Sequence, residues 1–106
     1  MLFEFRRYEI RAGRRAEWVE YMESVIIPFQ VGKGVVVAGS FISETDADVF
    51  FWLRRFDDEA ARVRLYAAVY EDPVWVGQIK PKADEMLIRE TIQVTRLTPT
   101  AHSVIR

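Results

Sequence analysis

The sequence predicts an α+β domain: four antiparallel strands with two helices on one face, in the order β-α-β-β-α-β. Three observations carry this. Two stretches place apolar residues at helical spacing. Four others are rich in aromatic and β-branched residues. Turn chemistry joins the second and third of those four. A chain of 106 residues, half of them hydrophobic, has the size and composition of one domain with its own core. Residues 1–106 are therefore read as a single unit, with 98–106 as a C-terminal tail.

Residues 2–10 read as the first strand, and Ala12-Gly13 breaks it. A helix follows from about 14 to 27. Its Trp18, Tyr21, Met22, Val25 and Ile26 share one face, and Glu17, Glu20 and Glu23 take the other. Pro28 is expected to stop or kink it. Gly32-Lys33-Gly34 leads into a second strand, 35–43. Thr45-Asp46-Ala47-Asp48 then turns the chain into a third, 49–56, as a hairpin. Asp57 or Asp58 can cap a second helix running to about 70. Its Ala61, Leu65, Ala68 and Val69 share a face, with Tyr66 and Tyr70 beside them. Asp72-Pro73 starts a short helical segment holding Trp75 and Ile79, which Pro81 is expected to end. Residues 85–97 read as the fourth strand. The arrangement is ferredoxin-like.

The third strand, Val49-Phe50-Phe51-Trp52-Leu53-Arg54-Arg55-Phe56, has no polar face. Phe51 and Leu53 oppose Phe50 and Trp52, and the second strand does not alternate either. Helices cover only one side of such a sheet. An uncovered apolar face of this kind is larger than a monomer usually exposes, so a homodimer through the sheet faces is expected. The alternative is that the tail or the Trp75 segment folds over that face.

Composition excludes several classes. No cysteine is present, which removes disulfides, thiolate metal sites and a cysteine nucleophile. One histidine, His102, lies in the tail, where it reads as a solvated residue, and no metal or haem site is expected. A net charge of −1 argues against nucleic acid as a partner. No apolar run approaches the roughly 18 residues of a membrane span. A cytoplasmic protein with no membrane partner and no cofactor is the expectation. The twelve arginines against three lysines offer planar forks suited to carboxylates, phosphates and aromatic faces, though genomic composition produces the same bias.

Two blocks resemble a known family. Glu4-Phe5-Arg6-Arg7-Tyr8 with Ala12-Gly13-Arg14 is similar to the opening of NIPSNAP proteins. Phe51-Trp52-Leu53-Arg54-Arg55-Phe56, then Arg62, Val69-Tyr70 and Pro73-Val74-Trp75, resembles that family's second block. The resemblance covers nearly the whole chain in order. It implies a dimeric α/β-barrel fold and no defined reaction. Neighbouring families with that barrel include cofactorless monooxygenases, haem-degrading enzymes, muconolactone isomerases and chlorite dismutases, and carrying over any of their activities would be fold analogy.

The candidate site residues lie on the first and third strands. Glu4, Arg6 and Tyr8 share one strand face, and Phe3 and Phe5 share the other. The phenylalanines are expected beneath the helices, which turns Glu4, Arg6 and Tyr8 toward a cavity on the open side. There Arg6 can hold a small planar or anionic ligand, and Tyr8 can donate to a carbonyl or enolate oxygen. Glu4 can act as a base if burial raises its pKa. The same residues also fit a structural Glu4–Arg6 pair. Trp52 offers a flat ligand-binding wall or a core residue. Arg54 offers an anion clamp or a strand-end charge paired with Asp57 or Asp58. The reading is a small-molecule-binding dimer or cofactorless, oxygenase- or isomerase-like enzyme; a non-catalytic dimeric interaction module is the alternative.

Overall fold

The computed structural model describes residues 1–106. Strand β1 (Leu2–Glu9) is followed by α1 (Arg15–Tyr21), a π-helical stretch (Met22–Ile26) and α2 (Ile27–Gly32). Then come β2 (Val36–Ile42), β3 (Val49–Phe56) and α3 (Glu59–Tyr70). A second π-helical stretch (Trp75–Ile79) and α4 (Lys80–Asp84) precede β4 (Gln93–Leu97). The sheet order is β2-β3-β1-β4 with every neighbour antiparallel, the ferredoxin-like arrangement. The core lies between one sheet face and the helices. Trp18, Met22 and Ile26 come from the first helical region, and Val69, Trp75, Ile79 and Ala83 from the second. They close over Tyr8, Phe50, Trp52 and Phe56.

Neither proline ends its helix. Pro28 sits near the start of α2, and Pro81 near the start of α4, each two residues beyond a π-helical stretch. A proline inside an α-helix lacks the N–H donor and its ring strikes the carbonyl four residues back. Widening the preceding turn avoids the clash, and the N–H groups of Ile27 and Lys80 reach five residues back to Met22 and Trp75. The first helical region thereby extends to Gly32 and delivers Gln30 to the core.

The fourth strand is shorter than expected. Met86 and Leu87 are both buried, and Leu87 makes only an isolated bridge to Ile10 rather than a continuous ladder. They plug the end of the core, with the Arg11 N–H bonded to the Met86 carbonyl at 2.7 Å. The Glu9 N–H goes to the Thr91 hydroxyl at 3.2 Å instead of to a strand partner. Regular pairing therefore begins only at Gln93.

The faces of β1 are the reverse of the expectation. Glu4, Arg6 and Tyr8 lie under the helices, opposite Arg54, Trp52 and Phe50 in register. Phe3 and Phe5 point to the open face with Phe51 and Leu53. On β3 both faces are apolar, and on β1 apolarity alone favours Phe3 and Phe5 beneath the helices, the side they do not take. The choice falls to the hydroxyl and amide groups that the helices bring to Glu4 and Arg54. On the open face Phe5 stacks on Phe51 at 5.4 Å, and the tail packs near Phe3, Leu53 and Leu97. Val36, Phe41 and Leu97 stay substantially exposed, with Phe41 at 54%. The Trp75 segment lies on the helix side and leaves this face uncovered.

The Asp58 carboxylate caps α3, accepting from the Ala61 N–H at 2.7 Å. Asp58→Ala is expected to cost about 1 kcal/mol, read as a lower denaturation midpoint at unchanged slope, whereas Asp57→Ala should be nearly silent.

Candidate functional site

Beneath the helices, one carboxylate gathers the polar groups. Glu4 is fully buried. Its oxygens accept from Arg54 Nη2 at 2.6 Å, Arg62 Nε at 2.8 Å and the Tyr66 hydroxyl at 2.7 and 2.8 Å. Arg6 Nη1 stands 3.6 Å away. Burial alone would raise the Glu4 pKa. The Tyr66 hydrogen bond and the charges of Arg54 and Arg62 outweigh it and hold the group at about 2. Tyr66 is pushed up from the ordinary phenol value, first by burial and also by Glu4, against the pull of Arg54. It remains a donor.

Arg54 is 1% exposed, and its two terminal nitrogens make four donor contacts. Nη2 reaches Glu4 and the Tyr66 hydroxyl, and Nη1 reaches Gln30 Oε1 at 2.9 Å and the Tyr70 hydroxyl at 2.8 Å. Its Nε has no partner. Rings surround the guanidinium, with Trp52 at 4.9 Å and Tyr66 at 5.2 Å from its central carbon. Burial lowers its pKa, but the carboxylate and the tyrosines around it dominate and raise it.

A cavity of about 230 Å³ opens beside this network. Trp18, Trp52, Trp75, Met22 and Ile26 supply apolar walls, and Arg6, Tyr8, Gln30 and Tyr70 supply polar groups. Tyr8 is the most specific of these. Its hydroxyl oxygen accepts from Arg6 Nε at 2.9 Å and from Trp52 Nε1 at 2.9 Å. Two donors on one phenol oxygen leave the hydroxyl hydrogen without an acceptor in the chain. Arg6 also donates Nη1 to Tyr66 at 3.2 Å, and its Nη2 has no partner in the chain. The cavity lining contains no Asp, Glu, His or Lys. It is a donor-rich, base-free site beside an excess of positive charge. No cluster of three or more His, Cys, Asp or Glu side chains is placed to hold a metal ion, and no helix is long and apolar enough to cross a membrane.

The NIPSNAP family model matches residues 3–104. The chain belongs to the NIPSNAP family. Solved NIPSNAP structures share its fold. A family protein of unknown function from Agrobacterium tumefaciens is 21% identical, with a TM-score of 0.88 over 100% of this chain and 94% of that one. A second from the same organism is 22% identical, with a TM-score of 0.85 over 99% and 98%. An uncharacterized NIPSNAP domain protein from Burkholderia xenovorans is 21% identical, with a TM-score of 0.84 over 96% and 97%. No curated protein matches the chain.

Within this NIPSNAP chain the expected residues meet, but not all in the expected roles. Arg6, Tyr8 and Trp52 line one cavity, on the helix side of the sheet. Trp52 is both core and wall: it is 1% exposed, and its indole N–H fixes Tyr8. Glu4 is no base, because a carboxylate held at about 2 and enclosed by three donors does not take a proton at neutral pH. Arg54 is neither a ligand clamp nor a strand-end charge; Arg55 is the residue that meets Asp57, at 3.1 Å. The sequence reads Tyr66, Tyr70 and Trp75 as packing residues or a cavity rim, and Tyr70 and Trp75 do line the cavity; Gln30 is the partner it misses. Tyr66 and Tyr70 have the spacing of packing residues, and they do pack, at 5.1 Å between rings, but their hydroxyls close the network. Gln30 lies beyond Pro28, where the helix was expected to end. A buried Glu and Arg in register on adjacent strands was the one available signal that helix-borne partners must exist.

The lowered Glu4 pKa makes stability acid-sensitive with a definite sign. The folded value lies below the ordinary 4.5, so the contribution is complete above pH 4.5 and is lost as pH falls toward 2. About 3 kcal/mol should disappear across that window. Glu4→Gln, which leaves Arg54 unpaired, should cost about 3–5 kcal/mol at pH 7 and flatten that acid limb. The milder Tyr66→Phe should shift the limb to higher pH. Denaturant titrations between pH 2 and 7 read all three; an unchanged limb in both variants would exclude Glu4 as its source.

Proposed function

We propose that this chain is a small-molecule-binding protein that works as a homodimer. The ligand is a small, flat, largely apolar compound with one acceptor or anionic oxygen group. The observation that carries this reading is Tyr8. Its hydroxyl is fixed by Arg6 and Trp52, and its own hydrogen has no acceptor in the chain. An oxygen in the cavity would receive that hydrogen together with the free Arg6 Nη2, while the tryptophans flank the ligand body. A cavity of about 230 Å³ is just below the usual range for drug-sized ligands, roughly 300–1,000 Å³, so the ligand is small.

Any reaction supported here is electrophilic. Arg6 and Tyr8 can stabilise an enolate or carbonyl oxygen, as an oxygenase- or isomerase-like site without cofactor requires. With no base in the lining, a substrate would have to ionise by itself. That feature favours the non-catalytic reading of the same cavity, a carrier or sensor, over an enzyme.

The open sheet face supports the dimer. Val36, Phe41 and Leu97 lie exposed beside the half-buried Phe5, Phe51 and Leu53, and the tail covers only one end. The same face on a second copy would bury them by an isologous contact.

Two measurements test these readings. Calorimetry with benzoate as probe should detect binding, weakened at least tenfold by Arg6→Ala and by Tyr8→Phe, with thermal melting reporting whether each variant folds. Equal affinity in folded variants would remove Arg6 and Tyr8 from the site. Light scattering should give twice the 12.4 kDa chain mass, and Phe41→Glu should shift it toward one. A 12.4 kDa wild-type particle would rule out the dimer.

A further inference from the structure

We propose that Arg89 is a second anion clamp at the mouth of the cavity, which gives the site a preference for small planar compounds carrying two anionic oxygen groups. The inference rests on reading the cavity as a ligand site. Arg6 and Arg89 are the two cations in its lining. Arg89 faces both ways: it lines the cavity, and its side chain is 42% exposed to solvent. Its backbone is held firmly. The 3-10 turn Arg89–Thr91 is tied to β1 through Ile88 N–H to the Glu9 carbonyl at 3.0 Å and Glu9 N–H to the Thr91 hydroxyl at 3.2 Å. Only the side chain needs to move.

Its present partner is easily given up. Arg89 Nε and Nη2 both converge on one oxygen of Asp84, at 2.8 and 2.6 Å, and its Nη1 has no partner in the chain. The other Asp84 oxygen accepts from Lys80 at 2.8 Å. Two cations thus share one carboxylate, and Asp84 keeps Lys80 when Arg89 leaves. An exposed ion pair of this kind contributes little to stability. A ligand carboxylate offers the paired, two-oxygen contact that Asp84 does not make here.

Charge points the same way. In the first cluster three arginines face Glu4 and Glu59, which shares Arg62, and around Asp84, Lys80 and Arg89 face one carboxylate. Both clusters beside the cavity carry surplus positive charge, and no acidic side chain in the lining offsets it. A ligand with one anionic group would answer only the first.

The test compares benzoate with the three benzenedicarboxylates by calorimetry. At least one dicarboxylate should bind the wild-type protein ten times more tightly than benzoate. Arg89→Met should bring that ratio to within twofold of one. Asp84→Asn, which frees Arg89 from its partner, should raise the ratio, and it decides the matter if Arg89→Met does not fold. Benzoate binding with no gain for any dicarboxylate overturns the clamp and leaves the cavity reading intact. A ratio that survives Arg89→Met also overturns the clamp. Binding of none of the four compounds overturns the cavity reading and the clamp together.

Discussion

The buried pair of Glu4 and Arg54 is the constraint around which this molecule is organised. They face each other in register across β1 and β3, with a 2.6 Å contact, at the centre of the sheet. Two charges withdrawn from water are costly, and their mutual attraction repays the cost only when further hydrogen bonds satisfy most of the remaining donors and acceptors. The helices supply what is missing. Tyr66, Tyr70 and Arg62 arrive from α3, and Gln30 arrives from α2. Both helical regions are thus positioned by hydrogen-bond geometry as well as by apolar packing. Specificity of this kind follows from direction: a guanidinium with four committed donor contacts admits few placements of its partners.

The same network prepares the cavity. Glu4 is consumed by its neighbours, so it neutralises one positive charge and contributes no chemistry of its own. Tyr66 passes the constraint to Arg6 through a 3.2 Å bond, and Arg6 passes it to Tyr8. Trp52 completes the fixation of Tyr8 from the other side. The phenol that faces the cavity is therefore held at the end of a chain of hydrogen bonds rooted in the core. A donor held in place before a ligand arrives loses little freedom on binding.

Much of the fold was legible because its signals are local. The helical spacing of Trp18, Met22 and Ile26, the turn at residues 45–48 and the cap at Asp58 depend on neighbours in the sequence. The β3 boundaries, Val49 and Phe56, fall where the apolar run begins and ends. Pro28 and Pro81 misled because their local rule assumes an α-helix, and a π turn relieves the clash without breaking the helix. The fourth strand misled because Met86-Leu87 and Thr91 are strand-like in composition but are recruited to close the core and to bond β1.

By itself, the sequence determined the order of elements, the two apolar sheet faces, the grouping of Arg6, Tyr8 and Trp52 as a candidate site, and the family blocks that residues 3–104 bear out. Only the tertiary structure decided which face of β1 meets the helices. Apolarity on β1 favours Phe3 and Phe5 inward, and it is overridden by the polar partners Tyr66, Tyr70 and Gln30, 26 to 66 residues distant from Glu4 in the chain. The tertiary structure likewise decided that Glu4 is a structural anion and Arg54 its partner. A residue's charge is written in the sequence. Whether that charge is spent on the fold or left for a ligand depends on what long-range packing brings beside it.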